Sequence, residues 1–483
     1  MNKKRILLKN TVIFFISNII PKTISFLLIP LYTNKLSTIE YGTYDLINTT
    51  VALFIPIYTL NLRDAVLRFC IKNKEHLNTI LGGTLLVIAV NTIPTIFMCV
   101  LASLFLPQNI KTEYILVFIW YLLANSLYDV LIAYCKGIGR VKIILYVSIL
   151  NSIITILSNM VLVLFANAGL FGFLVSNVLG TTLSAILCFI MVKGYKVLSP
   201  RNHFEVKILK EMIAYSAPMI LSALAWWVNN ASDRYILGAL VSTSMVGVYA
   251  TSSKIPTILH SIQSVFMQAW SISAITHYDK NDKDNFINGT FKTLSSLLFI
   301  VCSLILVMLL PLSGLLFKKE FNTAWFFVPP LLVSVIFDSF SIFIGQIFYA
   351  VKATRVRMWA TIIGAALNTI FNILLIPILG PYGAALATLS GYIISFIYSV
   401  FIVRRYILIK INYGVYIVSF ATILIQMILY SLKITNILPQ VVLCLLIILT
   451  NREQVKSIIK FIKNKGPYGA ALATLSGYII SFI

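Results

Sequence analysis

The sequence predicts an all-α polytopic membrane protein of about 14 transmembrane helices, two parallel six-helix bundles followed by two peripheral helices. Three observations carry that expectation. Of 483 residues, 59% are hydrophobic and only 11% are charged, too little polar surface for a water-soluble globule. Apolar stretches longer than the ~18 residues that mark a spanning helix recur along the whole chain. The two halves also share motifs at nearly constant offsets. Gly42-Thr43-Tyr44 returns as Gly247-Val248-Tyr249, and GLFGFLVSNVLG (Gly169 to Gly180) returns as GPYGAALATLSG (Gly380 to Gly391). Six helices bring a chain back to the same side, so such repeats are parallel, related by an axis along the membrane normal, with a substrate site expected between the halves.

In chain order, the basic start MNKKRILLKN runs into a long apolar stretch with no A-x-A-like cleavage site, which reads as an uncleaved first helix. The first six spans are expected at Thr11–Tyr32, Tyr44–Leu62, Ile80–Leu106, Tyr114–Tyr134, Ile144–Ala166 and Leu170–Met191. After a polar stretch, Lys193–Glu211, come Met212–Asn229, Val246–Ala269, Leu294–Phe317, Trp325–Ala350, Trp359–Ile378 and Tyr382–Val403. Tyr416–Leu432 and Ile437–Leu449 are the extra pair. The domain division that follows is 1–192 for the first bundle, 193–211 for a cytoplasmic linker and 212–411 for the second bundle. Residues 412–450 hold the two extra helices and 451–465 a basic cytoplasmic tail. Residues 466–483 repeat 380–397 letter for letter. Diverged structural repeats do not stay identical over such a length, so this copy is set apart from the fold as non-functional or artefactual.

Loop charge gives the orientation. The net charge of +23 raises nucleic acid as a partner, but a nucleic-acid binder gathers its cations into one patch, and here they are spread over many short loops. With the N-terminus inside, thirty Lys and Arg fall in inner segments and six in outer ones (Lys35, Lys111, Arg234, Lys318, Lys319 and Lys433). That asymmetry follows the positive-inside rule and predicts cytoplasmic N- and C-termini.

Enzyme chemistry finds no support. The six cysteines are scattered singly without C-x-x-C spacing, the four histidines have no metal spacing, and no P-loop occurs. Asp282-Lys283-Asp284 has the spacing of metal-dependent sugar transferases but sits in a short charged inner loop with no catalytic domain around it. The longest expected outer loop, Asn230–Met245, is too short for the acceptor chemistry of envelope polymerases and ligases. No cofactor or metal is expected.

Two lysines inside apolar runs are the strongest functional signal: Lys22 in SNIIPKTISFLLIPLY and Lys254 in VGVYATSSKIPTILHSI. A charge near the bilayer centre costs about 2.5–3.5 kcal/mol on insertion scales, so it persists facing a bundle interior or a wet cavity. Counted at 1.5 Å per residue, both lie ~12–15 Å below the outer surface, one in each half. An anionic ligand is the functional reading; pairing with a buried acid is the structural one. Asp45, Asp129 and Asp338 are candidates for a coupling proton or cation, against helix capping or lysine pairing. Arg63 and Arg68, at the inner end of the second helix, suit either a cytoplasmic mouth or a phospholipid anchor. Trp226 and Trp227, next to Asn229 and Asn230, are candidates for stacking on sugar rings, although most such tryptophans mark the interfacial belt.

The runs IIPKTISFLLIPLYTNKLSTIEYGTYDL and YSAPMILSALAWWVNNASDRYILGALVSTSMVGVYATSSKIP resemble the Wzx-type polysaccharide flippases of the multidrug/oligosaccharidyl-lipid/polysaccharide exporter superfamily. The likeness spans about residues 5 to 450 and is specific at these two stretches. It implies a V-shaped pair of six-helix bundles plus two peripheral helices in a bacterial cytoplasmic membrane. It also implies transport of an undecaprenyl-diphosphate-linked oligosaccharide to the outer leaflet by alternating access, with Lys22 and Lys254 as diphosphate contacts. Membrane lipids, a coupling ion (H+ or Na+) and the polymerase of the same pathway are the other implied partners. A multidrug cation antiporter of the same superfamily is the alternative, and two cavity lysines argue against it. A membrane polymerase or ligase is the third reading, disfavoured by the outer loops.

Overall fold

The computed structural model describes residues 21–105, 112–198, 205–277, 283–351, 353–407 and 413–456. Among these residues every regular element is a helix, as lipid requires, because a helix satisfies its backbone hydrogen bonds within one segment. A helical stretch over 21–27 leads to α1 (Ile29–Lys35), α2 (Thr38–Tyr58), α3 (Leu62–Lys72), α4 (Leu77–Phe105), α5 (Thr112–Gly137) and α6 (Val141–Asn159). A π-helical stretch, Met160–Phe165, extends α6. Next come α7 (Gly169–Met191), α8 (Val206–Leu240), α9 (Thr243–Ser252), α10 (Pro256–His277), α11 (Lys283–Val307) and α12 (Leu309–Leu316). A 3-10 stretch, Lys319–Phe327, precedes α13 (Val328–Ala350), α14 (Thr354–Leu379), α15 (Pro381–Val403), α16 (Tyr413–Ser431) and α17 (Ile437–Thr450).

Among the described residues ten helices are long and apolar enough to cross a membrane, eleven if α2 and α3, bent by 51°, form one span. The expected fourteen is not reached for identifiable reasons. The first part of the first span, 11–20, lies outside the described residues, a break at Ser253–Ile255 splits the eighth into α9 and α10, and α17 has only 14 residues. The terminal copy, 466–483, also lies outside the described residues.

The chain forms two compact units, Met1–Trp227 and Val228–Ile483. Their division falls within α8, which runs unbroken through Val206–Leu240. In the first unit, α3, α5 and α7 bury Leu62, Ala65, Val66, Val130, Leu131, Leu174 and Val178 against one another. A capping box starts α2: Ser37 Oγ accepts from the Glu40 N–H, and Glu40 Oε2 accepts from the Ser37 N–H at 2.8 Å. The other Glu40 oxygen accepts from the Leu170 N–H at 3.2 Å, tying the start of α7 to the start of α2.

The second unit has an aromatic core. Trp270 is fully buried; its indole stacks on Phe343 at 4.2 Å and donates to the Phe343 carbonyl at 3.0 Å. Phe291, Phe299, Phe340 and Phe420 continue this cluster across α11, α13 and α16. The last two helices are joined by reciprocal side-chain to backbone bonds between Gln426 and Gln440 and reach α11 through Asn451 to Ser296 and Tyr430 to the Leu306 carbonyl.

The internal repeat has a physical counterpart in each unit. At Gly180 of α7 an added methyl would run into Thr155 and Asn151 of α6; at Gly391 of α15 it would run into Asn368 and the Gly364 carbonyl of α14. The glycine lets two backbones meet beside an asparagine seam, and the same device recurs at the equivalent turn of each half.

Candidate functional site

Arg63 sits immediately after the bend in the first unit. Leu60 and Asn61 both take left-handed φ of 51° there, and the Leu60 carbonyl, freed from the helix ladder, accepts the Ser216 hydroxyl at 2.8 Å. Arg63 lies ~14 Å from the Lys72 end of α3 at 1.5 Å per residue. Its Nη1 faces Asp129 Oδ2 of α5 at 3.4 Å, and the two side chains are 51% and 33% exposed. Asp129 is ~12 Å from the end of α5 by the same measure. The two helices run side by side in the same direction, closely enough that a Cβ on Gly137 would lie 2.5 Å from Cys70 Cβ. Lys136, seven residues on from Asp129 along α5, lies within electrostatic reach of both Asp129 and Arg63. Asp64 is engaged by the Asn61 side chain at 3.1 Å, and Arg68 covers the Tyr215 ring at 4.4 Å.

The two lysines fall in different units. Lys22 is exposed on the helical stretch over 21–27. Lys254 is half-buried in the non-helical break between α9 and α10, and its carbonyl accepts the Thr257 hydroxyl at 2.5 Å. Pro256, which has no N–H to leave unpaired, restarts the helix.

Trp226 is 61% exposed, whereas the Trp227 indole donates to the Thr49 carbonyl at 2.7 Å. The expected outer loop Asn230–Met245 is not a loop. α8 continues to Leu240 and only Val241 and Ser242 separate it from α9. Asn230, Asp233 and Arg234 are therefore helical, and they form a network that sequence reasoning missed. Arg234 Nη1 donates to the Asn230 carbonyl at 2.8 Å and to Asp233 Oδ1 at 3.2 Å. Tyr249 of α9 donates to Asp233 Oδ2 at 2.7 Å, and Tyr392 of α15 donates to Asn230 Oδ1 at 3.3 Å. The helical spacing of Asn230 and Arg234 was the available signal; the polar run NNASDR hid it.

Asp338 is half-buried on α13, within electrostatic reach of Arg357 and Tyr392. Arg357 donates to the Ser341 carbonyl at 3.2 Å. Asp45 is 7% exposed on α2. No group of three His, Cys, Asp or Glu able to hold a metal occurs among the described residues.

Similarity to known proteins is consistent with this membrane architecture. A probable low-salt glycan biosynthesis flippase of Haloferax volcanii is 24% identical over 212 residues, 43% of this chain and 45% of that protein. An uncharacterized membrane protein of Methanocaldococcus jannaschii is 25% identical over 211 residues, 42% of this chain and 41% of that one. The match thus spans less than half the length of each curated relative. In fold, the chain is similar to the lipid II flippase MurJ in an inward closed conformation, with TM-score 0.65, 17% identity, and coverage of 94% of this chain and 99% of that one. It is also similar to an outward-facing multidrug resistance MATE family transporter of the MOP superfamily, with TM-score 0.59, 14% identity, and coverage of 84% and 96%. Residues 7–275, more than half of the chain, match the family described as polysaccharide biosynthesis protein, and this multi-pass membrane protein belongs to that family.

Proposed function

We propose that the protein is a flippase that carries an undecaprenyl-diphosphate-linked oligosaccharide repeat unit from the inner to the outer leaflet of a bacterial cytoplasmic membrane, by alternating access. The observation that carries this reading is a polysaccharide-biosynthesis family match on a chain whose fold resembles a lipid II flippase. Basic residues within or beside the spans of both units support it, because a lipid diphosphate must be drawn into a low-dielectric region by positive charge. Lys22 and Lys254 are the proposed diphosphate contacts, and Arg63 and Arg68 the proposed approach from the cytoplasmic side. Trp226 offers an exposed face for a sugar ring, with Trp227 and Asn230 as neighbouring contacts. A coupling ion, H+ or Na+, is assigned to Asp338 first, with Asp45 and Asp129 as further candidates. The polymerase of the same pathway is the proposed protein partner. Both termini are assigned to the cytoplasm.

The drug-antiporter reading draws on the likeness in fold to MATE transporters, which says nothing of the ligand. Intramembrane lysines suit an anion better than the cations such transporters favour. Gene deletion followed by mass spectrometry of lipid-linked intermediates tests the choice. Complete repeat units are expected to accumulate on the cytoplasmic leaflet, with surface polymer restored by the intact gene. Unchanged polymer, or accumulation of incomplete units, would exclude the flippase reading.

A further inference from the structure

The Arg63–Asp129 pair has the properties of a contact that can open. At 3.4 Å it is longer than a strong charge-assisted hydrogen bond, which runs ~2.7–2.9 Å, and both side chains reach the surface of the unit. Opening a charge pair is costly when one partner is left stranded. Here Asp129 would keep a cation in its field, because Lys136, two turns further along the same face of α5, is within electrostatic reach of the carboxylate. Arg63 would not be drawn to the adjacent acid either, since Asp64 is held by Asn61. Arg63 engages Asp129 through Nη1, whereas a phosphate would be gripped by the guanidinium fork through two parallel bonds. A group arriving from the α3 and α5 ends meets Lys136 first and Arg63 ~12–14 Å further in.

We propose that Asp129 is a displaceable counter-ion: it holds Arg63 in the empty protein and yields it to a phosphate-bearing lipid headgroup, after which Lys136 retains the released carboxylate. Assigning that headgroup to the transported lipid rests on the flippase reading; the displacement itself does not. An ordinary bilayer phospholipid carries the same phosphate chemistry and is the other source.

Binding of geranylgeranyl diphosphate to the full chain in phosphatidylcholine nanodiscs, followed by calorimetry, tests the proposal. Arg63→Gln is expected to weaken binding at least tenfold. Asp129→Asn is expected to tighten it about fivefold, the scale of releasing a half-exposed ion pair, and to have no effect in an Arg63→Gln background. Lys136→Gln is expected to weaken binding about threefold, and it keeps the test open should Asp129→Asn fail to fold. A purely structural pair predicts the reverse for Asp129→Asn: a lower melting temperature and unchanged or weaker binding. That result in folded protein, or a wild-type affinity for Arg63→Gln, overturns the proposal. Repeating the titration with phosphatidylglycerol in the discs separates the sources. Undiminished binding assigns the site to the diphosphate lipid, and competition at matched phosphate assigns it to a bilayer headgroup. Neither outcome bears on whether gene deletion stops export.

Discussion

Tyr249 donates its hydroxyl to Asp233 at 2.7 Å while Arg234 holds the other oxygen of the same carboxylate at 3.2 Å. Asp233 is thus engaged from both sides within one unit, and its two partners are not equivalent. Tyr249→Phe removes one neutral donor and is expected to cost about 1–2 kcal/mol. Arg234→Met leaves an uncompensated carboxylate that is only 9% exposed, at about 3–5 kcal/mol. Thermal unfolding of the purified variants reads the order, and a Tyr249→Phe loss larger than that of Arg234→Met would refute it.

The continuity of α8 predicts where the chain meets water. A cysteine introduced as Ser242→Cys is expected to react from outside with a membrane-impermeant maleimide, whereas Ser232→Cys, inside the helix, is expected to stay unlabelled. Equal labelling of the two would restore the long outer loop that the sequence suggested.

For Lys22 and Lys254, the proposed diphosphate contacts, charge is expected to matter more than shape. Lys22→Gln and Lys254→Gln keep length and polarity but lose the cation, so each is expected to reduce polymer export at least tenfold at normal expression. Arg supplies a phosphate fork and is expected to retain part of the activity. Wild-type export by both Gln variants would return the lysines to a scaffolding role.

The repeated close approach makes a paired prediction about stability. Gly180→Val and Gly391→Val each place branched carbon against the neighbouring helix, where the added Cβ already collides with Asn151 and Thr155 or with Asn368. Each is expected to cost about 1–3 kcal/mol or more by overpacking, seen as loss of folded protein on size-exclusion chromatography. Gly289→Ala, where nothing lies within 4 Å of the added carbon, is expected to be neutral.

Much of the architecture was legible because lipid imposes it. The apolar stretches centred on α4 to α7 and α13 to α16 were placed to within a few residues, since a span must be long, apolar and helical. The offset motifs were legible for the same reason: Gly180 and Gly391 are small because two backbones need that space. Hydropathy could not see the bend after Tyr58 or the continuity of α8 to Leu240. Polar residues look alike to a hydropathy window whether they lie in water or hydrogen-bond within a bundle.

The sequence by itself determined the solvent, the helical class, the internal repeat and the presence of lysines within apolar runs. Each of these depends on composition and local spacing. Only the tertiary structure decided which polar and charged groups meet: Arg63 with Asp129, Asp233 with Arg234 and Tyr249, Tyr392 with Asn230. Several of these partners lie on helices far apart in the chain, and their pairing is set by helix packing and rotation, which no local pattern encodes.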